Sequence, residues 1–269
     1  MRRPVDPASE AAILLGAGRA ILLQLARPEV GYGVARHSAF AENPMARLHG
    51  TLMYVYAVLA GTPDDRRIAQ GFVRRMHAPV RGGDDGGVPA YDARDPELQL
   101  WVAATLYDTA ILVHGRVLGH LPEDRADALY QRYAALGTAL EVPPEAWPAD
   151  RAAFRRYFEE ASGRLRVDAT IRAQADALWA ATKAPRWVRV LMPLNRFVTA
   201  ALLPPEVREQ YGMRWTIREE RRADLLWRGL GVVYPLLPAR LRTWPERYYL
   251  ARLRRGGKAG RPGARRTPH

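Results

Sequence analysis

The sequence predicts an all-α protein, and three observations lead there. Apolar residues recur at helical spacing in segment after segment, as in Leu48, Leu52, Val55 and Leu59. Helix starts and stops are spelled out by capping residues, prolines and glycines. Alternating period-two runs long enough for a strand are missing, as is any internal repeat. Proline-rich joints rather than linkers separate the segments. One multi-helix domain over residues 1–251 is therefore expected, followed by a basic, disordered Gly/Pro/Arg-rich tail over 252–269.

Taken in order, Ser9 can cap an opening turn, and the Gly16-Ala17-Gly18 joint precedes the apolar run Ala20 to Ala26, which Pro28 limits. A short amphipathic segment follows near Val30 to Ser38. Pro44 suits a first helical position, and Gly61 stops the helix it opens. Thr62-Pro63-Asp64-Asp65 combines a capping hydroxyl, Pro at the first position and carboxylates at the positive dipole end. That helix runs toward His77, where Pro79 and Gly82-Gly83 end it, and Gly82 to Gly87 reads as a flexible loop. Asp95-Pro96 opens a helix that carries Leu100, Trp101, Ala104, Asp108, Ile111 and Leu112 to about Leu118. Pro122 to Leu136, Asp150 to Ala161 and Asp168 to Ala181 are further amphipathic helices, and Trp187 to Leu203 is strongly apolar. Pro204-Pro205 opens a short helix, Thr216 with Glu219 forms a capping box, and Leu225 to Tyr234 and Leu241 to Leu253 close the chain.

Composition removes whole classes of function. There is no cysteine, which excludes disulfides, thiolate metal sites, cysteine nucleophiles and covalently attached haem. The net charge of +13 invites a nucleic-acid reading, but the charge is spread over every helix, almost all of it arginine, with Lys183 and Lys258 the only lysines. No specific nucleic-acid partner is expected. No uncharged apolar run approaches the ~20 residues needed to span a bilayer, and Pro4, Asp6 and Glu10 spoil a signal-peptide pattern. Cytoplasmic residence is the default expectation. Ser9, Ser38 and Ser162 sit in no nucleophile elbow, and Gly16 and Gly18 form only a fragment of a dinucleotide motif. A Walker lysine is missing, and none of the six histidines has Glu or Asp three positions before it, which disfavours a di-iron bundle.

Those histidines are His37, His49, His77, His114, His120 and His269. One neutral imidazole suffices to hold a haem, because the porphyrin supplies four nitrogens and the protein only an axial ligand. Arg47 and Thr51, four residues apart on an otherwise apolar helix, project from one face, and a cation on a surface built for burial needs a specific partner.

Whole segments carry more than single residues. Gly18 to Pro28, Gly33-Val-Ala-Arg-His-Ser38, Arg47-Leu-His-Gly-Thr-Leu52, Met76-His-Ala-Pro-Val-Arg-Gly82 and Asp95 to Trp101 occur in the order seen in the MpaB-type oxygenase family, related to the latex-clearing rubber oxygenases. The resemblance covers about Gly18 to Leu203. It implies a globin-like helical core enclosing a pocket for b-type haem, with O₂-dependent chemistry on a small hydrophobic substrate. By this resemblance His77 matches the proximal iron ligand, and Arg47 and Thr51 match the family's Arg-x-x-x-Thr pair. His37 matches a recurrent position, as a distal residue, as a support behind the residues that touch the haem, or as a structural hydrogen-bonding histidine. In rubber oxygenases a lysine beside the Arg/Thr pair can take the sixth iron position; Gly50 stands there here.

The residues themselves leave alternatives open. His77 can instead be a favourable contact at a helix C-terminus. Arg47 can bind a propionate or pair with Asp65 or Asp108, and Thr51 can bond back to its own helix. Arg74, Arg75 and Arg81 can neutralise propionates or face water. Tyr54, Tyr56, Met53 and Trp101 can wall a pocket or be plain core. The reading is a haem b-dependent oxygenase acting on a hydrophobic substrate with His77 as metal ligand; Arg47, Thr51 and His37 are its catalytic candidates, and Arg47, Arg74 and Arg81 its cofactor contacts. A haem sensor or carrier without turnover is the alternative.

Overall fold

The computed structural model describes residues 5–37, 44–84, 86–181 and 184–259. Ser38 and the last ten positions, including His269, lie outside them. After 3-10 turns at Pro7–Ser9 and Ala11–Gly16 come α1 (Ala17–Leu25), α2 (Pro28–His37), α3 (Pro44–Ala60) and α4 (Pro63–His77). Strands β1 (Arg81–Gly82) and β2 (Tyr91–Asp92) precede α5 (Pro96–Leu118), α6 (Glu123–Thr138), α7 (Arg151–Gly163) and α8 (Ala169–Ala180). The chain closes with α9 (Arg186–Leu202), α10 (Pro205–Gln210), α11 (Ile217–Val233), α12 (Ala239–Arg242) and α13 (Trp244–Ala259). The fold is all-α, as the periodicity predicts.

Two features differ from the sequence reading. A two-residue antiparallel ladder, with Arg81 opposite Asp92 and Gly82 opposite Tyr91, flanks the loop predicted from Gly82 to Gly87. A ladder that short leaves no period-two pattern to read. The disordered tail was expected from 252, yet α13 continues to Ala259 because Leu253 is buried and Arg254 has a carboxylate to reach.

The central helix is α5, with Trp101, Ala104, Thr105 and Val113 sealed from solvent. On one side α3, α6, α7 and α13 form an aromatic-rich core around Tyr107, Tyr130, Trp147 and Phe154. On the other, α1 packs through Leu22, Leu23 and Leu25 beneath α8 and α9. Tyr54, Tyr56 and Trp101 are plain core: the Tyr54 hydroxyl donates to the Leu136 carbonyl at 2.6 Å, and the Trp101 indole to Leu23 at 3.2 Å. The glycine joint at 16–18 serves close approach rather than a turn. A Cβ on Gly18 would collide with the Thr199 hydroxyl of α9, and one on Gly16 would lie 3.0 Å from the Val113 side chain of α5.

Buried charges are each matched across long sequence distances. Arg19 donates to Asp108 and Thr109 at 2.6 Å and to the Leu202 carbonyl at 2.8 Å. Asp65 closes the Thr62 capping box and receives Arg254 from α13 at 2.7 Å. The Arg254 guanidinium holds the Asp65 carboxyl down to about 2, with the Thr62 bonds adding to it and burial opposing. A carboxylate whose pKa falls on folding stabilises above its unfolded value near 3.8 and loses that contribution as pH drops toward 2. Arg254→Ala should therefore cost roughly 1–2 kcal/mol at neutral pH, with the urea-midpoint gap to the unsubstituted chain closing between pH 4 and 2. A gap that stays constant through that window would refute the assignment.

Candidate haem and oxygen site

The site is a helical hairpin. Gly61 and Thr62 join α3 to α4, so the start of α3 lies opposite the end of α4. The register is fixed where Gly50 faces Phe72: a Cβ on Gly50 would sit 3.5 Å from the Phe72 ring. This brings Arg47 and Thr51 toward the turn that ends in His77.

Thr62, Pro63 and the two aspartates start α4 as the sequence predicts. Its end is fixed equally firmly. Ala78 N–H donates to the Arg74 carbonyl at 3.0 Å, Val80 N–H to the His77 carbonyl at 2.9 Å, and Ala93 N–H to Val80 at 2.9 Å. The strand pair thus clamps the backbone directly after His77. The His77 ring is half-buried and makes no side-chain hydrogen bond among the described residues. Burial first, and the positive charge of Arg47 second, push its pKa below the ordinary histidine value, against weaker opposite pulls from Asp92 and Glu141. The imidazole is held neutral with its ring nitrogens available.

Arg47 was expected on a buried surface, and that is corrected. Its side chain and that of Thr51 are open to solvent, whereas Tyr56, Ala57 and Val58 farther along α3 are sealed. Burial nevertheless lowers the Arg47 pKa. The carboxylates considered for it are engaged elsewhere, Asp65 by Arg254 and Asp108 by Arg19.

The other candidates separate. His37 ends α2, and its Nε2 lies 2.9 Å from the Tyr91 hydroxyl, the rings meeting edge to face. Arg74 donates to Glu141 at 3.0 Å and to the Leu140 carbonyl, which ties α4 to the end of α6. Arg81 is exposed on β1. His49 is 2.7 Å from the Tyr249 hydroxyl, and His114 is 3.0 Å from the Gly119 carbonyl. An open cleft of about 550 Å³ lined by Arg116, Asp224, Trp227 and Arg228 includes none of the predicted residues.

Sequence reasoning missed two features. Tyr91, buried on β2, anchors His37. Ile68, Phe72 and Met76 form an exposed apolar stripe along α4, 39%, 38% and 58% open, on a different face of the helix from His77. Their spacing of four was the available signal; it is unremarkable until the facing helix is known to leave the stripe uncovered.

Comparison with known proteins adds what geometry does not. Residues 8–234 match the family described as ER-bound oxygenase mpaB/B'/rubber oxygenase, catalytic domain. An uncharacterized protein of Mycobacterium bovis and one of Mycobacterium tuberculosis are each 35% identical over 246 residues, covering 90% of this chain and 96% of the relative. No solved structure matches. Among the described residues, no single helix is long and apolar enough to cross a membrane.

Proposed function

The chain belongs to the family of ER-bound oxygenase mpaB/B' and rubber oxygenase catalytic domains, and from that premise we propose a haem b-dependent oxygenase that holds the iron through His77 and oxidises a small hydrophobic substrate with O₂. The observation that carries the cofactor assignment is the His77 ring, clamped at a helix end and kept neutral by burial and by Arg47. Neutral imidazole is the form that ligates iron.

One residue near the ring suits the charge of the group. In this reading Arg47, which matches the family's Arg-x-x-x-Thr pair, would face a propionate carboxylate. When bound, haem b supplies O₂ binding and the redox chemistry. The chain's own contribution is placement. Arg47 makes protonation of His77 more costly, Thr51 sets a hydroxyl on the same face of α3 as that cation, and Gly50 lets α3 approach Phe72 of α4. His37, hydrogen-bonded to Tyr91, positions the end of α2 against β2. Arg74, bonded to Glu141, holds α4 in place, and Arg81 on β1 remains a candidate propionate contact.

Titration of the protein with haem b should produce a saturable Soret band, and the loaded protein should consume O₂ when given lipophilic alkenes or aromatics. Failure to bind haem would overturn the cofactor assignment. Saturable haem binding with reversible O₂ uptake and no turnover on any such substrate would make the chain a haem carrier or sensor instead.

A further inference from the structure

The surface at the corner from α11 to α13 exposes a run of large apolar side chains. Val232, Val233, Leu236, Leu237, Leu241 and Trp244 follow one another across the end of α11, α12 and the start of α13, and all are exposed, Leu236 by 76% and Val232 by 69%. Pro235 and Pro238 fix the turns between them. Tyr248 continues the patch, its ring 5.8 Å from that of Trp244. Soluble monomers rarely display large apolar side chains in such unbroken succession.

The charge along this stretch is mostly of one sign. Between residues 225 and 259 every charged residue except Glu246 is arginine or lysine. Arg242 and Arg254 are taken up by Glu10 and Asp65, leaving Arg228, Arg240 and Arg247 exposed around the apolar residues. A second copy docking through the same face would set these arginines against themselves across the two-fold axis, which like charges oppose. An anionic lipid surface suits both components, accepting aliphatic and Trp side chains at the acyl boundary and arginines at the headgroups. Most of the patch lies beyond residue 234, outside the stretch matched to the catalytic domain.

We propose that this corner docks the protein on an anionic bilayer, without spanning it. The proposal stands apart from the haem assignment, since no residue is shared. A lipophilic substrate dissolved in that bilayer would then be at hand.

The test is co-sedimentation of the full chain with phosphatidylcholine vesicles and with the same vesicles carrying phosphatidylglycerol. Strong binding to the anionic vesicles only is expected, with a blue shift in fluorescence that Trp244→Phe removes. Leu236→Glu with Leu241→Glu should weaken binding about tenfold or more while circular dichroism is unchanged. Ile217→Glu, at the far end of α11 and 66% exposed, should bind as the unsubstituted chain does. No binding to anionic vesicles overturns the proposal. So does a double variant that binds equally well and is released by salt like the parent, which marks adsorption by net charge. A dimer in solution that the double variant converts to monomer, without vesicle binding, reassigns the face to self-association.

Discussion

Replacing His77 with alanine is expected to remove the Soret band of the haem-reconstituted protein and to weaken haem binding by about a hundredfold or more, given that loss of even an outer partner of a metal ligand costs about 10–100-fold. The fold should survive. His77 is the last residue of α4, the backbone bonds that end the helix are made by its carbonyl and its neighbours, and its ring makes no hydrogen bond among the described residues. Helicity by circular dichroism should therefore match the parent, and added imidazole should restore part of the band by filling the vacated position. The pH dependence has a defined sign. Folding lowers the His77 pKa, so the ring stays deprotonated below the range where an ordinary histidine takes up a proton, and haem should be retained into mildly acidic solution. In Arg47→Leu the smaller of the two causes is gone, and release of haem should move to higher pH. An unchanged band in His77→Ala would assign the ligand to another histidine, and an unmoved release pH in Arg47→Leu would show that the guanidinium does not act on the ring.

Much of this hairpin is legible in the sequence because local chemistry sets it. Thr62-Pro63-Asp64-Asp65 can only begin a helix, and Pro79 with Gly82-Gly83 can only end one, so His77 at a helix terminus follows without any knowledge of the fold. Arg47 and Thr51 on one face follow from spacing alone. What stays hidden is set by contacts distant in sequence. Asp65 reads as a possible partner for Arg47 until α13 delivers Arg254, 189 residues later. Gly18 reads as a joint until α9 comes to rest against it. Openness at Arg47 is a property of the space between helices, which no periodicity encodes. The two-residue strand pair lies below the length at which alternation can be detected, yet it clamps the backbone behind His77.

The second large effect belongs to the corner that carries the proposed lipid contact. Glu10 is 2% exposed, and its carboxylate is held by Arg242 of α12, with Nε at 3.0 Å and the second guanidinium arm on the other oxygen, and by the Tyr234 hydroxyl at 2.9 Å. The guanidinium also lies 5.4 Å from the Tyr234 ring, and Tyr234 in turn accepts from the Ala12 N–H at 3.0 Å. A helix of four residues has no stability of its own, so this clamp fastens α12 to the N-terminal turns. Arg242→Ala leaves a buried carboxylate with one neutral donor. The expected cost is about 3–5 kcal/mol, a fall in Tm of roughly 10 °C for a chain of this size. Adding Glu10→Gln to that variant removes the uncompensated charge and should recover part of the loss, because an absent ion pair is cheaper than half of one. Arg242→Lys keeps the charge but not the two-armed geometry and should fall between. A Tm within about 2 °C of the parent in Arg242→Ala would mean that water reaches Glu10 and the clamp is ornamental. A double variant less stable than Arg242→Ala alone would mean that the carboxylate serves some other donor.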